Sequence, residues 1–315
     1  KKIFEIYNNF EKNFQNVEIS NKIAISVSGG PDSLALCFLL LCYKFKKKIN
    51  LKPYFYLVDH GIRDNSYKEA IFVKNLLKSK KFDLKILKWE GKKPTSNLQN
   101  LARKERYKLI FKECVRLDIG IVLTGHHQED VYETFFSRLL RGSGTEGLSS
   151  FSKIENYFLF KNKKIKLVRP LLNFIKRDLI YISKSVFNFY VKDPSNELEK
   201  FQRVRIRKLI SNLTSEGLDF KKLNLTINNL ASTNKSINTI VDYNINENVI
   251  FIKKKKYLIN SDFFLMPEEV VFRSLSILLK NISQKDYPPR GKKMIKLIKD
   301  IKKNRYIKAT LGGTI

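Results

Sequence analysis

Apolar segments of strand length alternate with segments of helical periodicity through the first 140 residues, and this alternation constrains the fold most strongly. The predicted strands cover residues 23–27, 54–58, 84–89 and 121–124, and the predicted helices cover residues 33–45, 66–80, 97–117 and 130–140. Short apolar strands that alternate with helices are typical of parallel sheets covered on both faces. The sequence therefore predicts an α/β fold with a doubly wound parallel sheet.

Polar motifs follow three of these predicted strands. SGGPDS occupies residues 28–33, DHGIR occupies residues 59–63, and TGHHQED occupies residues 124–130. Ligands of doubly wound sheets bind beyond the carboxyl ends of the strands. Because each motif follows a strand, we expect the three motifs to line one crevice.

The pattern changes near residue 201, where Asn, Lys and Leu become frequent. Helices are predicted over residues 201–240, 267–280 and 292–302, and strands around residues 249–252 and 257–259. We place a domain boundary after residue 212. A catalytic domain then covers residues 1–212, and a smaller, basic, helical and α+β region covers residues 213–315.

The charge balance indicates the kind of partner. The chain has 61 Lys and Arg residues against 30 Asp and Glu residues, which gives a formal net charge of +31. Such an excess favours a polyanion such as nucleic acid. A codon bias towards A and T would by itself raise the lysine content, so arginine is the more informative residue. Half of the arginines lie between Arg138 and Arg207.

The apolar runs and the cysteines restrict the cellular setting. The longest apolar run, residues 34–43, is too short to span a bilayer, and the N-terminus lacks a secretory pattern. We therefore expect a cytoplasmic protein without membrane contact. Cys37, Cys42 and Cys114 lack metal-ligand spacing and are expected to be buried thiols in a reducing compartment.

SGGPDS joins the first predicted strand to the first predicted helix. Gly29 and Gly30 lack a Cβ, which lets several backbone N–H groups approach one anion, and the helix N-terminus adds partial positive charge. Ser28 and Ser33 offer hydroxyls to phosphate oxygens, whereas Asp32 would repel phosphate unless Mg²⁺ bridged the two. The spacings of the Walker loop and of the dinucleotide fingerprint are absent. The alternative is a helix cap after a tight turn.

Two further motifs carry candidate ligands whose roles the residues leave open. Asp59 and His60 could contact a nucleotide base or ribose, or could form an ordinary turn. Arg103 and Arg106, in NLQNLARKERY, suit a phosphate or a carboxylate, or a solvated helix face.

The segment TGHHQEDVYETFFSRLLRGSG offers carboxylates followed by arginines. Asp130 and Glu133 share one face of the predicted helix, where they could hold Mg²⁺ or an amino group. Arg138 or Arg141 could meet phosphate. The order His-His-x-x-Asp-x-x-Glu does not match a zinc-protease helix, so zinc ligation by histidine is not expected.

SGGPDS resembles the loop of the N-type ATP pyrophosphatases, which split ATP into AMP and pyrophosphate. Within that superfamily, the chain resembles the tRNA(Ile)-lysidine synthetase family through motifs that occur in the same order: VDHGIR, LQNLARKERY, GHHQED, RLLRGSG, RPLL, DPSN, RVRIR, PPRG and TLGG. The likeness covers most of the chain. Two departures are visible, because the family usually has Gln where Val131 stands and Asp where Glu129 stands.

The resemblance implies a reaction that uses ATP and Mg²⁺ to join free L-lysine to C2 of the wobble cytidine in the CAU anticodon of tRNA(Ile). The catalytic residues implied are Asp32, Asp130, Glu133 and Arg103. The implied ATP-binding residues are Ser28, Gly29, Gly30, Pro31, Asp32, Ser33, Asp59, His60 and Gly125, with Asp32 holding Mg²⁺ through ATP. The implied tRNA- or lysine-binding residues are His127, Arg106, Arg138, Arg141, Arg169, Asp193, Ser195, Asn196, Arg203, Arg205 and Arg207. The region after residue 212 is implied to bind tRNA.

Two other classes of function compete with this interpretation. A tRNA thiolation enzyme of the same superfamily needs accessible thiols or an iron–sulfur cluster, which the cysteine pattern disfavours. A non-catalytic RNA-binding protein would have no need of a metal-binding Asp32. The sequence leaves the oligomeric state open, with a homodimer among the candidates.

Binding of tRNA to this chain should weaken steeply with salt, because each phosphate neutralised by Lys or Arg releases counterions. The measurement is the Kd for tRNA between about 50 and 200 mM salt, a range over which 6–10 phosphate contacts cost roughly 10³–10⁵ in affinity. A flat dependence would show that the basic surface is not the RNA site.

Overall fold

The computed structural model describes residues 1–91, 98–149, 151, 155–191, 202–252, 256–283 and 291–303, without the side chains of Gln99 and Glu155. The chain divides into two units, one from Lys1 to Leu223 and the other from Asn224 onward. Each unit is described separately below.

A six-stranded sheet forms the centre of the first unit within the described residues. Its strands are β1 (Lys22–Val27), β2 (Lys52–Asp59), β3 (Leu84–Lys88), β4 (Ile121–Thr124), β5 (Glu155–Phe160) and β6 (Lys163–Val168). They lie in the order β3-β2-β1-β4-β6-β5, and all neighbours are parallel except β5 with β6. The predicted α/β class and the four predicted strands are confirmed.

The β5–β6 hairpin has no counterpart among the predicted elements, because lysines interrupt its apolar pattern. Its two-residue turn consists of Lys161 and Asn162, with φ angles of 46° and 61°. Two positive φ values in a two-residue turn match the twist of the flanking antiparallel strands. β5 therefore becomes an antiparallel edge on a sheet that is otherwise parallel.

Helices cover both faces of this sheet. The helices of the first unit are α1 (Lys2–Phe14), α2 (Pro31–Lys47), α3 (Ser66–Ser79), α4 (Leu98–Leu117), α5 (Gln128–Leu139), α6 (Thr145–Ser149), α7 (Lys176–Phe187) and α8 (Gln202–Ser215). The four helices predicted between residues 33 and 140 are present as α2 to α5, with ends that differ by at most two residues. Helix α1 was not predicted, although it buries Tyr7, Phe10 and Phe14 on one face.

Alternate residues of β1 enter two different cores. Ile23, Ile25 and Val27 pack with α1, α2 and α7, whereas Ala24 packs on the opposite face against α4. A strand that is buried on both faces must be apolar at successive positions, which explains the continuous apolar run. Packing on both faces holds β1 in position, and with it the end of the strand that carries SGGPDS.

The position of β1 within the sheet determines where a ligand can bind. β2 pairs with one edge of β1 (Val27 opposite Leu57), and β4 pairs with the other edge (Ser26 opposite Thr124). The strand order changes direction between β1 and β4, which makes their carboxyl ends the topological switch point of the sheet.

The second unit is helical around a small hairpin. Helix α9 (Phe220–Asn248) begins in the first unit and is followed by β7 (Val249–Ile252), β8 (Lys256–Ile259), a 3₁₀ turn (Ser261–Phe264), α10 (Glu268–Ser283) and α11 (Gly291–Lys302). The core of this unit contains Phe263, Val271, Leu275, Leu278, Met294 and Ile298. The strands and the last two helices confirm the elements predicted there.

No helix in the described ranges is both long enough and apolar enough to cross a bilayer.

A buried amide links three elements of the second unit. Asn244 has no exposed surface, and its Nδ2 donates to the Ser274 hydroxyl at 3.2 Å and to the Phe263 carbonyl at 3.4 Å. Its Oδ1 accepts a hydrogen bond from Asn248 at 2.9 Å. A side chain that satisfies its own polar atoms and two neighbours in this way specifies the packing of α9 against α10.

The substitution Asn244→Ala should lower the free energy of unfolding by about 1–3 kcal/mol, because it leaves buried polar partners without hydrogen bonds. Urea unfolding followed by circular dichroism measures the change. The matched control is Asn228→Ala, which removes an exposed amide from the same helix. Equal stability of the two variants would contradict the structural role of Asn244.

Candidate active site

The turn after β1 depends on a glycine. Gly29 has a φ of +77°, and a Cβ at this position would lie 2.7 Å from Val73 Cγ2 and 2.9 Å from Val191 Cγ2. The Val191 N–H donates to the Gly29 carbonyl at 2.9 Å. Both the backbone conformation and the lack of space therefore require glycine, as residues with a Cβ strongly disfavour positive φ.

Ser33 holds the turn together from within. Its buried hydroxyl donates to the Gly30 carbonyl at 3.0 Å and accepts from the Ser28 N–H at 3.1 Å. Ser28 is exposed, and its hydroxyl accepts from the Gly30 N–H at 3.4 Å. The two serines proposed for phosphate thus differ in exposure, because Ser33 is buried in the turn while Ser28 is exposed, although their hydroxyls lie 3.2 Å apart.

The first turn of α2 presents the remaining anion-binding groups. Gly30 is the N-cap, and Pro31 at N1 has no N–H to leave unsatisfied. The Pro31 carbonyl accepts a 2.8 Å hydrogen bond from the buried Ser183 hydroxyl of α7. The N–H groups of Asp32 and Ser33 come next in this turn, where the positive end of the helix dipole lies.

Gly125 brings the end of β4 against this same turn. A Cβ at Gly125 would lie 2.9 Å from the backbone C and O of Asp32 and 3.0 Å from the N of Ser33. Backbone atoms cannot move aside as a flexible side chain can. Gly125 therefore allows the β4 loop to touch the turn.

His127 follows Gly125 and lies among three carboxylates. Its Nδ1 is 2.9 Å from Glu129 Oε2, and its Nε2 is 3.6 Å from both Asp32 Oδ2 and Asp130 Oδ2. Burial alone would lower the pKa of His127, but the Glu129 hydrogen bond and the charges of Asp130 and Asp32 raise it to about 9. His127 is therefore an imidazolium at neutral pH.

The three carboxylates respond differently to this arrangement. Burial raises the pKa of Asp32, against the opposing effects of His127 and Lys176. Burial also acts to raise the pKa of Asp130 and Glu129, but His127 and the hydrogen bonds they accept lower both pKa values below the usual range. Asp130 and Glu129 are therefore ionised at neutral pH.

Asp32 has a free oxygen that suits a metal ion. Its Oδ1 is buried and accepts no hydrogen bond. Mg²⁺ usually binds one or two carboxylates together with substrate phosphates and waters. No group of three His, Cys, Asp or Glu side chains suited to a metal occurs in the described part of the chain. The site therefore fits an ion held by Asp32 and phosphate oxygens, and does not form a cage made of protein alone.

Glu129 has a structural role that the sequence did not reveal. Its carboxylate accepts the Lys176 N–H at 3.0 and 3.2 Å and so caps the N-terminus of α7. A negative charge at this end of a helix is favourable. Glu129 stands where the family usually has Asp, and it supplies both this cap and the hydrogen bond to His127. Val131, which stands where the family usually has Gln, is buried.

Glu133 and Arg207, for which separate roles are expected, form one ion pair. The Arg207 Nε–H donates to Glu133 Oε1 at 2.5 Å, and Glu133 is only 5% exposed. The contact joins α5 to α8 across 74 positions of sequence. Arg207 therefore neutralises the acid that the sequence offered for a lysine ammonium.

Several arginines gather beside His126. The positive charges of Arg103, Arg169 and Arg203 all act to lower the pKa of His126. Those of Arg103 and Arg203 also act to lower the pKa of Arg106. Burial, followed by this repulsion, lowers the pKa of His126 to about 3, so its imidazole is neutral. His126 Nδ1 lies 2.8 Å from the Thr124 hydroxyl.

Three arginines of this group contact uncharged side chains or aromatic rings. Arg103 lies over the Tyr107 ring at 5.6 Å, and Arg106 Nη2 is 3.4 Å from His60 Nε2. Neither has a carboxylate partner within the described residues. Arg169 lies over the Phe151 ring at 4.9 Å and donates to Asn156. Such a cluster suits a phosphate or carboxylate ligand.

The second motif occupies the neighbouring strand end. Asp59 is buried, and its Oδ1 accepts the Gly61 N–H at 3.0 Å, so it stabilises the turn after β2. His60 contacts the Trp89 ring edge-on, with centroids 5.9 Å apart. Of the two proposed nucleotide contacts, Asp59 is used within the turn, and His60 lies against Arg106.

The remaining candidates lie farther along the chain. Arg138 donates to the Gly147 carbonyl at 2.5 Å, and Arg141 donates to Gln202 at 2.5 Å. Arg203 and Arg205 are exposed on α8. Asp193, Ser195 and Asn196 lie outside the described residues, as do TLGG and all of PPRG except its glycine.

Residues 3–214 match the PP-loop domain family. A tRNA(Ile)-lysidine synthase of Wolbachia pipientis wMel is 34% identical over 312 residues, which are 95% of this chain and 70% of that protein. One from Orientia tsutsugamushi (strain Boryong) is 38% identical over 64% of this chain and 44% of its own length. The chain belongs to the tRNA(Ile)-lysidine synthase family of PP-loop proteins. It spans less than half of the Orientia relative.

A solved structure resembles the chain in fold. The U34-tRNA thiolase NcsA from Methanococcus maripaludis, with its [4Fe-4S] cluster, has a TM-score of 0.58 at 18% identity, covering 75% of this chain and 79% of that one. In this synthase-family chain Cys37 and Cys114 are buried, and Cys42 is partly buried. Burial raises the pKa of all three thiols, that of Cys114 to about 12. The thiols therefore lack the exposure and thiolate character that sulfur chemistry requires.

His127 should titrate near pH 9 and His126 near pH 3, whereas an unperturbed histidine titrates near 6.5. NMR of the imidazole resonances as a function of pH measures both values, with His126→Gln and His127→Gln providing the assignments. Because the folded-state pKa of His127 is raised, its stabilising effect is complete below about pH 6.5 and is lost as the pH rises through about 9. An ordinary pKa for His127 would contradict the carboxylate cluster.

Proposed function

We propose that this chain uses ATP to join free L-lysine to C2 of the wobble cytidine in the CAU anticodon of tRNA(Ile), releasing AMP and pyrophosphate. One observation carries the proposal. His127 Nε2 lies 3.6 Å from Asp32 Oδ2, on the β1 turn whose other Asp32 oxygen is unpartnered, and 3.6 Å from Asp130 in the first turn of α5. A phosphate site and a site for an amine are thus adjacent.

The first step places ATP on the β1 turn. The backbone around Gly29 and Gly30, the exposed Ser28 hydroxyl and the start of α2 bind the phosphates. Asp32 Oδ1 would hold Mg²⁺, which supplies charge neutralisation for the departing pyrophosphate. The 2-oxo oxygen of cytidine attacks the α-phosphorus, and the bond from that phosphorus to the β-phosphate oxygen breaks. The residues of the turn contribute mainly by orientation.

The second step transfers lysine. An amine of lysine attacks C2, the bond from C2 to the adenylate oxygen breaks, and AMP leaves. Asp130 is the better of the two proposed acids for binding a lysine ammonium, because it is ionised and Glu133 is already paired with Arg207. Arg103 and Arg106 are available for the lysine carboxylate or for phosphate, since their charges are not neutralised by described carboxylates.

The tRNA would approach over the arginine-rich side. Arg203 and Arg205 are exposed on α8 and can contact RNA phosphates, together with the basic residues of the second unit. We propose the cytoplasm as the location because the tRNA substrate is modified there, and we retain a homodimer as the assembly that light scattering should test.

Purified protein tests the function directly. Release of pyrophosphate from ATP is measured with and without L-lysine and an unmodified tRNA(Ile) transcript bearing CAU. We expect covalent incorporation of lysine into that transcript and none into a methionine tRNA with the same anticodon. Pyrophosphate release without any lysine incorporation would refute the ligation.

The substitution Asp32→Asn should reduce tRNA-dependent pyrophosphate release by about a hundredfold or more, because the carboxylate that would hold Mg²⁺ at the departing pyrophosphate is lost. Binding of tRNA, measured by filter retention, should stay near the wild-type value. Asp83→Asn, which changes an exposed acid just before β3, is the matched control. Loss of tRNA binding in the Asp32 variant would instead show that Asp32 only holds the fold.

A further inference from the structure

A pocket lies beside the β1 turn, and of its lining residues only Val191 has been described so far. It has a volume of about 800 Å³ and is lined by Lys68, Glu69, Phe72, Lys184, Asn188, Phe189, Tyr190 and Val191. One wall is α3, and the other wall is the end of α7 with the segment that follows it. The volume lies in the range of small-ligand sites, about 300–1,000 Å³.

The second wall is held in place at both of its ends. Asn188 caps the C-terminus of α7 and adopts a left-handed conformation with a φ of 52°. Three residues later, the Val191 N–H donates to the Gly29 carbonyl. The segment between them is therefore fixed by a helix cap and by the β1 turn, so the pocket exists before any ligand binds.

The pocket combines aromatic surface with unneutralised positive charge. Phe72 is 50% exposed and lies against Phe189, with ring centroids 4.6 Å apart. Lys68 and Lys184 are exposed, and neither has a carboxylate partner within the described ranges. The one acid of the pocket, Glu69, is already paired with Arg63 at 2.8 Å.

This chemistry suits a nucleotide. Aromatic side chains stack on any nucleobase, and lysines beside them meet the adjoining phosphates. An acidic peptide would use the lysines but would not need the exposed ring of Phe72, so the combination favours RNA.

The nucleotide that binds here cannot be the one that reacts. Val73 and Val191 fill the space beside Gly29, and each would lie less than 3 Å from a Cβ built there. These side chains separate the pocket from the phosphate-binding side of the turn. The pocket is thus a different site for a second nucleotide.

We propose that this pocket binds an unpaired nucleotide of the tRNA other than the wobble cytidine, with its base on Phe72 and its phosphates on Lys68 and Lys184. The proposal rests on the proposed function for the identity of the RNA. The Val191–Gly29 hydrogen bond connects one wall of this pocket to the β1 turn.

The test measures the Kd of the full chain for the CAU-bearing tRNA transcript without ATP or lysine. Phe72→Ala should weaken binding about tenfold, and Phe72→Trp should restore it, because stacking requires a ring. Lys68→Gln and Lys184→Gln should each reduce the slope of log K against log salt by about 0.7. The matched controls are Phe45→Ala, an exposed ring at the end of α2, and Lys78→Gln, an exposed lysine on α3.

The outcomes separate this proposal from the proposed function. Wild-type affinity in Phe72→Ala and in both lysine variants would overturn the proposal, whatever the enzyme does with lysine. A change in the KM for ATP with unchanged tRNA affinity would also overturn it, because the pocket would then bind a free nucleotide. If Phe72→Ala weakens tRNA binding but the wild type incorporates no lysine, the proposal for this pocket is supported and the proposed ligation is refuted. The lysine variants remain informative if Phe72→Ala proves unstable.

Discussion

The approach of Gly125 to the first turn of α2 is the constraint on which the site depends. At this point two strand ends, almost one hundred positions apart in sequence, meet backbone to backbone, and a single Cβ would separate them. The meeting places the phosphate-binding turn after β1 beside the histidines and acids after β4. Without it, Asp32 and Asp130 would belong to two unrelated loops. The parallel sheet makes the meeting possible because β1 and β4 are neighbours.

The charges at this junction fall into two groups of opposite character. His127 is surrounded by carboxylates and is a cation, whereas His126 lies near arginines and is neutral. His127 thus balances part of the negative charge of these acids, whereas Arg103 and Arg106 have no carboxylate partner among the described residues. A phosphate site needs positive charge that the protein's own acids do not neutralise, and Arg103 and Arg106 supply it here.

Much of the architecture could be predicted from local pattern. The four strands between residues 23 and 124 and the helices that follow them were identified by their periodicity, because each buries a regular face. Helix α1, the short helix α6, helix α7 and the β5–β6 hairpin have no counterpart among the predicted elements. In the hairpin, Lys164 and Lys166 interrupt the apolar pattern of β6. Lys164 lies over the Tyr157 ring of β5 at 4.2 Å. This contact joins residues of two different strands, so the residue pattern of β6 alone does not predict that it tolerates a lysine.

The sequence by itself determined the turn after β1, the strand ends that carry the three motifs, and the excess of positive charge, since each of these follows from local residue type and spacing. Only the tertiary structure decided how charged groups from distant segments pair: Arg207 with Glu133, Glu129 with the start of α7, and His127 with Asp32. These pairings depend on distances between elements that are far apart along the chain. Those distances are set by how the helices pack on the sheet, and spacing along the chain carries no record of them.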